Sequence, residues 1–146
     1  MTVFTAPEVI GHRGSGRGTV GGARENTAAS FDAAVRDGAT WIEIDVRRSA
    51  DDVLLIHHDA ALPDGRAIVD LPSAVCRDHG LLTLEEAVAA VPADIGLDVD
   101  VKTVMEDATD PPARRTMALL IPFLRREARR RRVFVARWHR GGTPSC

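Results

Sequence analysis

Residues 40–49 read TWIEIDVRRS. The stretch alternates: Ile42, Ile44 and Val46 fall on one side of an extended chain, and Glu43, Asp45 and Arg47 on the other. Strands of a doubly wound open sheet are covered by helices on both faces and read apolar throughout. This strand has one acidic face. Residues 94–103, DIGLDVDVKT, repeat the pattern, with Leu97, Val99 and Val101 set against Asp98, Asp100 and Lys102. Isolated buried carboxylates are costly unless paired or bound to a metal. The economical arrangement brings both acidic faces to one shared polar site, as a barrel of parallel strands does at the C-terminal ends of its strands.

Outward from these two strands, the spacing predicts a short buried strand at 9–12 and a helix over 25–37. Phe31, Ala34 and Val35 lie at helical spacing there, and Gly38 is the stop. After a turn at Asp51-Asp52, residues 53–62, VLLIHHDAAL, form a third strand that ends in polar residues. A loop carrying Pro63, Asp64, Gly65 and Pro72 follows. A helix then starts near residue 82, with Thr83 as N-cap and Glu86 at the capping-box position. Pro111-Pro112 precedes an arginine-rich helix over 113–131, and RVFVARW at 132–138 is a fifth strand. Strands alternating with helices argue for an α/β fold: a partial barrel of about five parallel strands with helices on the outside.

The chain has 146 residues, 45% hydrophobic and 27% charged, with a net charge of -2, enough for one domain and one core. Ten of its arginines lie after position 113, where Glu127 is the only acid. They offer a surface for nucleic acid or an acidic partner. No aromatic platform or nucleic-acid motif accompanies them, so a solvated helix face is the simpler reading and no nucleic acid is expected. Cys76 and Cys146 are too few for a disulfide framework and read as a buried thiol and a loose terminal one. No run approaches the ~18 apolar residues of a membrane span, and no apolar signal region is visible, so a cytoplasmic protein is expected.

The chemistry-bearing residues cluster at strand ends. Glu43 and Asp45, two apart on a strand, reach one point, and Asp98 or Asp100 can add a third carboxylate. Hard cations such as Mg2+ and Ca2+ take several oxygen ligands of this kind. The plain alternative is a polar face in water. In His57-His58-Asp59, alternation puts His58 on the face of Leu54 and Ile56 and makes it the better site candidate over a surface histidine. In His12-Arg13-Gly14, histidine carries protons near neutral pH, arginine grips phosphate oxygens, and glycine lets backbone approach a ligand. Lys102, the only lysine, shares a face with Asp100 and is either a second phosphate contact or a partner for the acids. Together the set suits phosphodiester cleavage. A metal neutralises phosphate charge, one histidine takes a proton and the other gives one, and the cations stabilise the transition state.

In order over about residues 9–102 stand HRG (12–14), ENT (25–27), E-x-D (43–45), HD (58–59), L-x-L-E-E-A (82–87) and an acid-x-Lys strand (100–102). This series resembles the glycerophosphodiester phosphodiesterase family. The resemblance implies a TIM barrel that uses a divalent metal, Mg2+ or Ca2+. The reaction it implies is hydrolysis of a small-molecule glycerophosphodiester to glycerol 3-phosphate and an alcohol. It implies His12 and His58 as the acid/base pair, Arg13 and Lys102 on the phosphate, and Glu43, Asp45 and Asp100 on the metal, with Glu25 a further ligand or a supporting residue. Which histidine is acid and which is base stays open. Asp100 stands where the family carries Glu, and the loop after Asp59 is shortened. An eight-fold barrel takes ~250 residues. Residues 1–146 therefore read as a single truncated phosphodiesterase-like (β/α) barrel domain with an aberrant or disordered tail at 137–146, open edges that invite self-association, and weak or no turnover. The rival readings are another phospholipase-like TIM-barrel phosphodiesterase and a non-catalytic, arginine-rich binding fragment.

Overall fold

The computed structural model describes residues 7–102, 107 and 109–136. The chain opens with β1 (Ile10–Gly11), a hairpin of β2 (Thr19–Val20) and β3 (Ala23–Arg24), and α1 (Ala28–Arg36). It continues through β4 (Trp41–Arg48), β5 (Leu54–Ile56), α2 (Ser73–Asp78), β6 (Leu82–Thr83) and α3 (Leu84–Ala89). β7 (Gly96–Val101), α4 (Thr116–Glu127) and β8 (Val133–Ala136) complete it. β4 is the centre of the sheet. It runs parallel to β1 and to β7, and β8 lies parallel beyond β7. Helices cover one face, which gives the partial (β/α) barrel expected from the alternating pattern.

The third expected strand is a correction to that pattern. β5 pairs antiparallel with the end of β4, Val46 opposite Ile56, and β6 pairs antiparallel with β5. So β1, β4, β7 and β8 are the parallel strands, and β5 is the return arm of a hairpin. The reason is the length of the connection. Ser49 and Val53 close it directly, with the Ser49 N–H donating to the Val53 carbonyl at 3.0 Å. A parallel return needs a crossover of about a dozen residues.

The apolar faces read from the sequence form the main core. Ile42, Ile44 and Val46, with Leu97, Val99 and Val101, pack against Phe31 and Ala34 of α1, Leu84, Ala87 and Val88 of α3, and Leu120 and Phe123 of α4. A smaller core of Leu55, Leu62, Ile68, Cys76 and Leu81 sits beneath the segment after β5, where α2 stands in what reads from sequence as loop. Cys76 is a buried free thiol; Cys146 and the 137–146 tail lie outside the described residues. The Thr83–Glu86 capping box forms as expected. A second box, Thr27 with Ser30, starts α1 three residues later than the expected helix.

The basic C-terminal segment largely meets its charge within the chain. Glu127 is buried and clasped by Arg126, Arg130 and Arg131, while Arg126 also holds Glu85 and Arg114 holds Asp52. Arg125 and Arg129 face solvent. Among the described residues no helix is long and apolar enough to cross a membrane.

On the sheet's other face, Trp41 fills the space across from Gly96, its register partner, with the Arg132 guanidinium 4.7 Å from the ring centre. A Cβ on residue 96 would lie 2.8 Å from the indole Cε2, with other ring atoms nearer still. Trp41 is fully buried and has little room to move. Gly96→Ala is therefore expected to cost about 1–3 kcal/mol as an overpacking change. Urea unfolding followed by circular dichroism measures this; an unchanged midpoint would show that the ring has slack.

Candidate active site

The site begins at a backbone contortion. After β1 the chain turns sharply, and Arg13 adopts a left-handed conformation, φ 54°. For a non-glycine residue that costs roughly 1–2 kcal/mol. Three hydrogen bonds hold it. The Arg13 N–H donates to Glu43 Oε2 at 2.8 Å, and its carbonyl accepts from the Asn26 N–H at 2.9 Å and from Ser30 Oγ at 3.1 Å. Gly14 follows because a Cβ there would lie 2.7 Å from both Cβ and the carbonyl carbon of Ser30, at φ 91°. Asn26, also left-handed, donates from its side chain to Asp45 Oδ2 at 2.8 Å. The loop is thus stapled to Glu43 at one end and to Asp45 at the other.

The acidic faces of β4 and β7 lie in register, Glu43 beside Asp98 and Asp45 beside Asp100. Adjacent strands are ~4.8 Å apart, so side chains on one face meet. Oxygens of Glu43, Asp45 and Asp100 all lie within 4.8 Å of one another, and all three residues are buried. Two cations stand among them. Lys102 Nζ is 3.2 Å from Asp45 Oδ1 and bonds to Asp100 Oδ2, and Arg13 Nε is 3.4 Å from Asp45 Oδ2. Burial, and then the charge of Asp45, pushes the Glu43 carboxyl up to about 8. Burial, and then Asp100, also raises Asp98. Burial works against the charge of Lys102, but its bonds to Asp100 and Asp45 outweigh that and hold its value up.

These residues fit a hard divalent cation. Three carboxylates converge, and Asp100 Oδ1 is buried without a hydrogen-bond partner among the described residues. Oxygen-only donors of this kind suit Mg2+ or Ca2+. Glu25 stands outside the trio. Its carboxylate accepts from Arg13 Nη1 at 3.2 Å and from the Gly18 N–H.

Both expected histidines reach this end of the sheet. His12 is held below the ordinary histidine value by partial burial, then by the charge of Arg13 and more weakly of His58, against the pull of Asp45 and Glu25. His58 Nδ1 lies 2.8 Å from Asp59 Oδ1. Strand alternation does not separate His58 from His57, because β5 ends at Ile56. The His57 N–H donates to the Asp45 carbonyl at 3.0 Å, and His57 and His58 both line one open pocket of about 400 Å3 with Arg13, Glu25 and Asn26. Burial keeps His57 low.

Two supporting side chains escape sequence reasoning. Arg47 donates from Nε to the His58 carbonyl at 3.0 Å and from Nη1 to the Lys102 carbonyl at 3.3 Å, tying the histidine segment to the end of β7. Its position on the acidic face was the available signal. Ser30 braces the Arg13 carbonyl, and its signal, the capping-box spacing after Thr27, reads only as helix geometry. As a whole the arrangement can hold a cation on the acids, take an anion on Arg13 and Lys102, and move protons at two imidazoles.

The pattern of the glycerophosphoryl diester phosphodiesterase family matches residues 12–141. A glycerophosphocholine phosphodiesterase of Candida albicans is 39% identical over 87 residues, 57% of this chain and 7% of that protein. A glycerophosphodiester phosphodiesterase of Arabidopsis thaliana is 39% identical over 64 residues, 44% of this chain and 16% of that protein. The chain thus spans a small part of these curated relatives. Among solved structures, an Oleispira antarctica phosphodiesterase in complex with the product sn-glycerol-3-phosphate superposes with TM-score 0.72 at 28% identity, over 92% of this chain and 58% of that one. A glycerophosphodiester phosphodiesterase from Parabacteroides distasonis gives 0.67 at 27%, over 88% and 56%.

Proposed function

The chain belongs to the glycerophosphoryl diester phosphodiesterase family, and from that premise we propose that it carries out cation-assisted hydrolysis of a glycerophosphodiester to glycerol 3-phosphate and an alcohol. The observation that carries this reading is the convergence of Glu43, Asp45 and Asp100 within 4.8 Å, with Arg13 and Lys102 among them, at the edge of a histidine-lined pocket. The Oleispira structure, with sn-glycerol-3-phosphate bound in a similar fold, supports a glycerol phosphate as the retained product.

Glu43, Asp45 and Asp100 would hold the divalent cation, Mg2+ or Ca2+. A cation bound there would neutralise phosphate charge and lower the pKa of the attacking water. Arg13 and Lys102, which stand among these acids, place positive charge where the transition state builds up negative charge on the phosphate oxygens. His12, kept neutral by burial and by Arg13, accepts the proton of the attacking water. His58, oriented through Nδ1 by Asp59, gives a proton from Nε2 to the departing alkoxide. Asn26 holds Asp45 in place. The arginine-rich binding reading is weakened by the internal pairing of Arg114, Arg126, Arg130 and Arg131.

The test is release of glycerol 3-phosphate from glycerophosphocholine or glycerophosphoglycerol by the purified chain. The expected outcome is slow product formation that depends on added Mg2+ or Ca2+ and stops with chelator. Hydrolysis indifferent to chelator would overturn the cation assignment. A cyclic phosphate product would favour the phospholipase-like alternative.

A further inference from the structure

One wall of the pocket is not used by the chemistry above. It is built by the β2–β3 hairpin. Gly21 and Gly22 at its tip have φ 56° and 84°, the pair of positive angles that a tight two-residue hairpin turn requires. The hairpin carries Arg24, and the loop entering it carries Arg17; both line the pocket that also holds Arg13 and His58. Arg24 Nη2 donates to the carbonyl of Gly80, another lining residue, at 3.0 Å.

The charges in this pocket can be paired off. Arg13 is met by Glu25 at 3.2 Å, and His58 by Asp59 at 2.8 Å. Arg24 bonds a neutral carbonyl, and among the described residues no carboxylate forms an ion pair with Arg24 or Arg17. The pocket's apolar lining is Ile56, Pro63 and Leu81, and apart from the imidazoles of His57 and His58 no aromatic ring lines it. A quaternary ammonium needs an aromatic face or an acid to receive it. The hairpin side of the pocket, Arg17, Gly18, Thr19 and Arg24, offers neither, and the carboxylates elsewhere in the lining, Glu25 and Asp59, are already paired with Arg13 and His58.

We propose that Arg17 and Arg24 are specificity-determining residues that select glycerophosphodiesters whose alcohol carries an anionic group, a carboxylate or a phosphate. The proposal rests on the hydrolytic reading above. With the scissile phosphate at Arg13, the leaving alcohol extends along the shared pocket to the hairpin wall. There a carboxylate or phosphate receives charge-assisted hydrogen bonds from guanidinium groups. A choline-type alcohol brings its positive charge against two arginines.

The experiment compares three esters of glycerol 3-phosphate of matched length: 1-propanol, choline and 3-hydroxypropionate. Their binding is measured by calorimetry on the His12→Asn protein with Mg2+, and their turnover is measured separately on the unaltered chain. The 3-hydroxypropionate ester is expected to bind at least tenfold more tightly than the choline ester. Arg17→Gln and Arg24→Gln are each expected to weaken it about tenfold, the worth of one charge-assisted bond, and to leave the propanol ester unchanged. Equal binding of the three esters, a preference for choline, no measurable binding of the anionic ester, or equal weakening of all three by the variants would overturn the proposal. Turnover of the propanol ester without an anionic preference sinks the selectivity and leaves the hydrolytic reading. An anionic preference in binding with no turnover of any ester does the reverse.

Discussion

His12→Asn is expected to lower kcat/KM for a glycerophosphodiester by 10²–10⁴-fold, the usual worth of a positioned general base, while leaving the fold intact. His12 is mostly exposed and stands outside both core clusters, so its removal should shift the unfolding midpoint little. The pH profile carries a sharper signature. Partial burial and the charge of Arg13 hold His12 below the ordinary histidine value, so the imidazole is neutral and able to accept a proton at pH 7. In the unaltered chain, activity should rise with pH along an acid limb centred below that ordinary value, then fall at higher pH as the general acid loses its proton. In His12→Asn, the residual activity should lack that limb. Retention of the limb in the variant would assign it to His58 and reverse the acid and base roles.

The second large effect lies at Glu43. Its carboxyl is pushed up to about 8 in the cation-free protein by burial and the neighbouring charge of Asp45. The sign follows from linkage. A carboxyl whose folded value exceeds its unfolded value favours folding in its protonated form. That contribution is full below the unfolded value, near 4.5, and is lost as pH rises through about 8. Glu43→Gln removes the titration and keeps an oxygen to accept the Arg13 N–H. In chelator at pH 8.5 the variant should therefore be more stable than the unaltered chain by on the order of 2–4 kcal/mol, and near parity at pH 5. With Mg2+ or Ca2+ at 100 times Kd, the unaltered chain should gain ~2.7 kcal/mol, and the variant should lose most of that gain. Denaturant titrations at the two pH values, with and without chelator, measure both effects. An equal cation response in the two proteins would remove Glu43 from the ligand set.

Much of this site can be read from residue order, for identifiable reasons. The alternation in 41–48 and 96–101 is visible because one face is charged and the other is not, and the pairing of β4 with β7 then puts Glu43, Asp45 and Asp100 together. Thr83 and Glu86 specify a helix start through contacts three residues apart, which sequence states directly. The direction of β5 was misread because βα alternation overrode a simpler count. The connection between Ser49 and Val53 is too short for a crossover. The choice of His58 over His57 rested on alternation running past Ile56, where the strand has already ended. The β2–β3 hairpin was hidden in a glycine-rich stretch whose Gly21-Gly22 pair is itself a turn signal. Arg47 and Ser30 act on backbone carbonyls of distant segments, and residue order does not record such contacts.

The β4–β5 hairpin places Glu43, Asp45 and the His57-His58 pair on one short covalent excursion, whereas Asp100 and Lys102 come from a strand much farther along the chain. Short loops close at lower entropic cost than long ones. During synthesis the hairpin is therefore expected to zip while residues 96–102 are still inside the ribosome. In that interval Glu43 and Asp45 lie side by side without the Lys102 ammonium that later pairs with Asp45. The arrival of residues 96–102 then brings Asp100 into register with Asp45 and sets Lys102 between the two.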